Sequence, residues 1–283
     1  MTLDENWFTE IHAGTAFSLR IRGKLHEEQS AFQKIEVYDT ETFGKMMVID
    51  GCIMLTDREN FIYHEMMAHP VLFAHPAPKR VAIIGGGDCG TLREVLKHDC
   101  VEEVTQVDID ERVTRVAEQF FPQLCSANED PRARILFDDG IAFIANAKPG
   151  SFDVIIIDST DPVGPAEGLF ALPFYRNCLR ALARDGILVQ QSESPLLHAE
   201  AILKPLHNDL RKAGFLDVLT VHFPLASYPS GWWTASLAAK DSAISFYREE
   251  EAEELPFETQ YYNAAIQRAA AATPEFFRKL LLE

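Results

Sequence analysis

Five short apolar runs spaced by helical lengths constrain this chain more than any other feature: VAIIG (81–85), VTQVD (104–108), RILF (134–137), DVIIID (153–158) and GILVQ (186–190). They are rich in Val, Ile and Leu and nearly continuous rather than alternating, the pattern of parallel strands covered by helices on both faces. Two further strand-like runs, LDVLTVHF (216–223) and WTASLAA (233–239), are joined through SYPSG and predict a hairpin at the end of a mostly parallel sheet. The fold class predicted from Arg80 onward is therefore α/β.

The preceding segment reads differently. Phe32, Ile35 and Val37 lie in an extended run, and Met46–Ile49 and Ile53–Leu55 flank Asp50-Gly51. That dipeptide predicts a tight hairpin because both turn positions accept positive φ. Asn60–His69 reads as helix with no assignable buried face, and Pro70 with the Pro76/Pro78 pair reads as the crossing between parts. The expected organisation is an N-terminal β-strand domain over 1–68 and a catalytic domain over 69–283. Toward the end, YYN (261–263) and PEFFRKLLL (274–282) are expected to be helical, and Glu249–Glu254 reads as a solvated linker.

Composition narrows the function. The five cysteines are odd in number, scattered and without C-x-x-C, which argues against a disulfide framework and a zinc site and for a reducing, cytoplasmic setting. The first residues resemble no signal peptide, and no apolar run reaches membrane-span length. A net charge of −17 disfavours nucleic acid and permits steering of small cations.

The segment Gly85-Gly-Gly-Asp-Cys-Gly90 fits G-x-G-x-x-G between a strand and a helix (Thr91–His98), and Asp108 ends the next strand. This is a nucleoside-binding fingerprint in its required context, with an acid placed for ribose hydroxyls. Asp88 argues against a dinucleotide, because a carboxylate in this loop would repel the pyrophosphate seated there. It suits an amine instead, although it could also cap the following helix.

Asp158-Ser-Thr-Asp161-Pro-Val-Gly-Pro165 follows the fourth strand directly and faces the same crevice. Asp139-Gly140 follows the third strand and Glu193 the fifth. So many converging carboxylates would hold either a divalent metal or an organic polycation. Without a histidine cluster, and with Trp7, Tyr63, Tyr228, Trp232 and Trp233 in neighbouring motifs, the organic cation fits better and no metal is expected.

These residues resemble a known family, the polyamine aminopropyltransferases, over nearly the whole chain. The resemblance rests on WFTE (7–10), SAFQ (30–33), YDTETFGKMMVIDG (38–51), FIYHEMMAHP (61–70), IIGGGDCGTLREV (83–95), FDDG (137–140), DSTDPVGPAEGLF (158–170), SYPSGWW (227–233) and YYNAAIQRAA (261–270). It implies a Rossmann-like, methyltransferase-type sheet with a small N-terminal β domain and a C-terminal helical extension, assembled as a homodimer or homotetramer. It also implies transfer of an aminopropyl group from decarboxylated S-adenosylmethionine, a co-substrate rather than a cofactor, to putrescine. The products would be spermidine and methylthioadenosine.

By the family pattern, Gln33 and Asp108 would hold the ribose, Asp139, Gly140 and Pro165 would surround the adenine, and Asp88 would bind the donor's amine. Asp158 would accept the proton, assisted by Tyr63. His64, Asp161, Glu193 and Tyr228 would line the polyamine channel with Asp88 and Asp158, and Trp7 and Glu10 would lie near its far end. Asp108 where Glu is usual, Cys89 beside Asp88, Met54, and Ala226-Ser227 before Tyr228 depart from the common pattern. The alternatives left open are another acceptor (cadaverine, agmatine or spermidine), a methyltransferase using intact S-adenosylmethionine, an NAD-dependent oxidoreductase, and a polyamine-binding regulator without turnover.

Overall fold

A computed structural model describes residues 3–12, 14–161 and 164–282, the side chains of Pro165 and Leu282 excepted. The N-terminal part is an antiparallel sheet in chain order: β1 (Trp7–His12), β2 (Thr15–Gln29), β3 (Lys34–Thr40), β4 (Lys45–Ile49) and β5 (Cys52–Thr56). The expected turn joins β4 to β5, with Asp50 at φ 49° and Gly51 at φ 87°. Strand alternation divides the side chains between two faces. Ile35, Val37, Met47 and Ile49 pack on Val113, Val116 and Phe121, while Tyr38, Met46 and Val48 cluster with Leu19 and Ile53.

The second sheet has seven strands in the order β11-β12-β10-β9-β6-β7-β8. The strands β6 (Arg80–Gly85), β7 (Glu103–Asp108), β8 (Ala133–Phe137), β9 (Phe152–Asp158) and β10 (Leu182–Gln191) run parallel. The expected hairpin, β11 (Asp217–Pro224) and β12 (Trp232–Ala239), closes the edge in antiparallel fashion. Chain order reverses between β6 and β9, whose register pairs Gly85 with Asp158. A crevice opens at such a switch point, so topology brings the glycine loop and the Asp158 segment together.

Helices α1 (Asn60–Ala74) and α2 (Gly90–Leu96) cover one face over Val81, Ile83, Val154 and Ile156. The opposite face, with Ala82, Ile84, Ile155 and Ile157, is covered by α4 (Gly140–Asn146), α5 (Leu172–Ala181) and α6 (Lys204–Ala213). Helix α3 (Glu111–Phe120) carries the contact to the N-terminal sheet.

Three local readings are corrected. Pro70 does not end the helix: α1 continues through it to Ala74. Proline forfeits one hydrogen bond there, but nearly every residue of the helix is buried, so packing outweighs the loss. This also explains why no single buried face could be assigned. The acidic run forms a short helix, α7 (Glu249–Glu253), with Ala252 buried beneath it. YYN is not helical. Asn263 caps α8 (Ala264–Ala270), and the amides of Gln260, Tyr261 and Tyr262 all donate to the buried Glu65 carboxylate. The chain ends in α9 (Glu275–Leu282), as expected. Among the described residues no helix is long and apolar enough to cross a membrane.

Candidate active site

The glycine loop follows β6 because only glycine fits its turn. Gly85 sits at φ 86°, and a Cβ there would lie 2.0 Å from the Asp158 carbonyl oxygen. The amide of Gly86 donates to that same oxygen at 2.7 Å, which locks the loop to the end of β9. Asp88 accepts from the Gly90 amide at 2.6 Å, the capping contact that the sequence left open, and also faces His64 Nε2 at 3.2 Å. Burial works against its charge, but His64 and the Gly90 amide hold its carboxyl below the usual range.

A cavity runs from this loop along the carboxyl ends of the strands. Gln33, Asp88, Asp108, Asp139, Gly140 and Asp158 all line it, together with Tyr63 and Tyr228. Burial pushes Asp108 up to about 6. The Asp139 carboxylate caps α4 through the amides of Ile141 and Ala142. Gln33 donates to Asp110, which anchors it beside Asp108. The side chain of Pro165 lies outside the described residues.

Asp158 is held from both sides. Its Oδ1 accepts from the Tyr63 hydroxyl at 2.6 Å and its Oδ2 from the Thr91 hydroxyl at 2.5 Å. Burial and the neighbouring Asp88 raise its pKa, while these two hydroxyls pull it down. Thr91 was not singled out from the sequence. Its signal was its place directly after the glycine loop, where the first helical turn faces the end of β9.

A second, narrower cleft opens from the same junction, lined by Glu10, Met54, Tyr63, Asp161, Tyr228 and Trp233 among others. The Tyr228 hydroxyl donates to the Met54 carbonyl at 2.5 Å. The loop before it is fixed by the Glu59 carboxylate, which accepts the Ala226 and Ser227 amides. Burial pushes Glu10 up to about 7, against the Ile53 amide that donates to it. Asp161 also rises to about 7 through burial and the adjacent Glu193. The two cavities thus share the Tyr63 and Tyr228 walls, and Asp158 stands at their meeting point.

Three expected channel residues do not line either cavity. Trp7 lines a separate surface cleft with Phe8, Arg22 and Tyr38. It is three residues from Glu10 on one strand, and odd spacing puts the two on opposite faces. His64 lines neither cavity but sits buried behind Asp88. Glu193 is buried behind Asp161, within hydrogen-bond reach of it, rather than in the cleft wall. Of the tryptophan pair, Trp233 faces the cleft, while Trp232 turns to His222 and Phe276. Among the described residues no group of three His, Cys, Asp or Glu side chains is arranged to hold a metal ion.

Comparison with known proteins agrees with this architecture. Residues 60–248 match the family described as "Spermine/spermidine synthase domain", and residues 6–57 match "Spermidine synthase tetramerisation domain". The polyamine aminopropyltransferase of Thioalkalivibrio sulfidiphilus is 70% identical over 281 residues, 99% of each chain. That of Methylococcus capsulatus is 61% identical over 99% of this chain and 98% of its own. Among solved structures, a spermidine synthase in complex with the transition state analogue AdoDATO superposes with a TM-score of 0.93 at 34% identity, covering 99% of this chain and 96% of that one. The spermidine synthase of Thermotoga maritima gives a TM-score of 0.90 at 35% identity, covering 97% and 94%. With its two-sheet fold and paired acidic cavities, the chain belongs to the spermine/spermidine synthase family of polyamine aminopropyltransferases.

Proposed function

We propose that the enzyme transfers the aminopropyl group of decarboxylated S-adenosylmethionine to putrescine, giving spermidine and methylthioadenosine. The observation that carries this reading is the meeting of a cavity along the glycine loop and an acidic cleft at the Tyr63–Asp158–Thr91 cluster. Gln33 and Asp108 would take the ribose, Asp139 and Gly140 would flank the base, and Asp88 would face the donor's amine. A donor that kept its carboxylate would set a negative group against Asp88, which disfavours a methyltransferase using intact S-adenosylmethionine. The same charge disfavours the pyrophosphate of NAD.

The sulfonium makes its neighbouring methylene electrophilic and departs as a neutral thioether, so the reaction calls for no cofactor. The acceptor must attack as a free amine, yet an alkylammonium has a pKa of about 10. Asp158 is suited to take that proton, because two hydroxyls keep its carboxylate oriented while burial raises its basicity. Asp161 and Glu10, in the narrower cleft, would hold the distal ammonium and fix the distance to the reacting nitrogen. Alignment of nitrogen, carbon and sulfur would then supply much of the rate. We further infer that the protein works in the cytoplasm as a homo-oligomer built through its N-terminal sheet.

The test is to give the purified protein decarboxylated donor with putrescine, cadaverine, agmatine or spermidine and to measure methylthioadenosine. Putrescine should give the highest kcat/KM. A clear preference for another amine would move the assignment to that acceptor.

A further inference from the structure

Two histidines stand behind the acidic cleft and have no part in the reaction above. His12, the last residue of β1, and His198, in the segment after β10, meet with their Nε2 atoms 2.7 Å apart and their rings edge-on. His198 Nδ1 lies 3.2 Å from Glu193 Oε2, close but not aligned as a hydrogen bond, and neither atom has a hydrogen-bond partner among the described residues. Glu193 is 1% exposed and within hydrogen-bond reach of Asp161, which lines the cleft. The backbone here is constrained: Glu193 adopts φ 70°, which is strained for a residue with a Cβ. The Thr234 hydroxyl holds its carbonyl at 2.7 Å, and the Ser194 and Ser230 hydroxyls meet at 2.6 Å beside it.

Proton counting orients this chain. A neutral imidazole carries one N–H and one lone pair. A proton on His198 Nε2 would leave a bare Nδ1 lone pair against the carboxylate, which is repulsive. A proton on Nδ1 places a donor 3.2 Å from Glu193 Oε2, within a small ring rotation of bonding to it, and leaves His198 Nε2 to accept from His12 Nε2–H. Burial, opposed in part by Asp161, depresses the basicity of His198 and favours this neutral form.

We propose that His198, itself held by His12, is a positioning residue that keeps Glu193 ionised and aimed at Asp161, so that the pair presents negative charge to the far ammonium of a diamine. This rests on the aminopropyl-transfer reading given above. Two adjacent buried carboxylates cannot both ionise without a cation. With Glu193 held as the ionised member, the shared proton of the empty cleft resides on Asp161, where an arriving ammonium can displace it. Without His198, Glu193 Oε2 would face no donor, and the carboxyl would take up a proton itself. The cleft would then lose charge at the end remote from the reaction.

The experiment compares putrescine with butylamine, which has the reacting amine but no second ammonium, at saturating decarboxylated donor. In His198→Ala the KM for putrescine should rise by about tenfold, the fold-change equivalent to ~1.4 kcal/mol. Its kcat, and the KM for butylamine, should stay near wild type. His198→Asn, whose side-chain N–H can stand in for Nδ1–H, should restore most of the putrescine affinity. His12→Phe should give a smaller putrescine-selective loss. If His198→Ala folds poorly, the contrast between His198→Asn and His12→Phe carries the same test. Equal KM increases for both amines, or an unchanged putrescine KM in an active His198→Ala enzyme, would overturn the positioning role alone. Wild-type protein that forms no methylthioadenosine with either amine would overturn the transfer reading, and this role with it.

Discussion

Replacing Tyr63 with Phe isolates the contact on which the proposed chemistry turns. Tyr63 is buried on α1, and its ring packs against Phe223 and Tyr228, so the substitution keeps the volume and removes one hydroxyl. That hydroxyl donates to Asp158 Oδ1 at 2.6 Å and, with the Thr91 hydroxyl and His64, pulls the Asp158 pKa down against burial and Asp88. A hydrogen bond to a charged group contributes about 1.5–3 kcal/mol. Its loss should therefore raise the Asp158 pKa by a further ~1–2 units. A base with a raised pKa works only above that pKa, so activity is lost as pH falls through it. The acid limb of kcat/KM for the amine should thus move ~1–2 pH units upward. The loss should be about tenfold to a hundredfold on that limb and shrink toward alkaline pH, with donor KM unchanged. The assay is methylthioadenosine release across the acid and neutral range. Thr91→Val should reproduce the shift through Oδ2. A uniform loss at every pH, or a limb that does not move, would refute the assignment of Asp158 as the proton acceptor controlled by these hydroxyls.

Other consequences follow from the same geometry. Asp88→Asn should weaken binding of decarboxylated donor more than that of methylthioadenosine, by calorimetry; equal losses would mean that Asp88 serves only the Gly90 cap. Gly85→Ala, with its Cβ driven against the Asp158 carbonyl at positive φ, should cost upwards of ~3 kcal/mol in urea unfolding. A wild-type midpoint would show that the loop can move away. Glu94, buried among His69, Arg93 and Lys97, is held down to about 2. Its folded pKa is depressed, so its stabilisation is present above about 4.5 and is lost as pH falls toward about 2. Glu94→Gln should cost on the order of 3 kcal/mol at neutral pH and flatten the acid decline over that window; an unchanged decline would contradict the linkage.

What the sequence revealed was mostly local chemistry repeated along a regular topology. The glycine loop, Asp108 and Asp158 were legible because a parallel sheet directs the ends of its strands to one crevice, wherever the intervening helices lie. The Asp50-Gly51 turn was legible because positive φ is costly for most residues. What escaped depends on side-chain direction or on distant packing. Thr91 became visible only once α2 was set against β9. That Trp7 lines a separate cleft follows from strand alternation, which turns its motif neighbour Glu10 to the other face. The continuation of α1 through Pro70 depends on its burial, and the non-helical path of residues 260–262 depends on Glu65, nearly two hundred residues away in the chain. The His12–His198 contact joins β1 to a loop beyond β10, so no sequence spacing announces it.

On the proposed function, Asp88 and the acidic cleft select an aminopropyl donor without its carboxylate and a diamine to receive it. The most direct measurement mixes stoichiometric enzyme, putrescine and either decarboxylated or intact S-adenosylmethionine, and follows products by mass spectrometry. Spermidine and methylthioadenosine should form in equal amounts from the decarboxylated donor, with no transfer from the intact one. Methylated putrescine with S-adenosylhomocysteine from the intact donor, and no methylthioadenosine from the other, would contradict the proposed function.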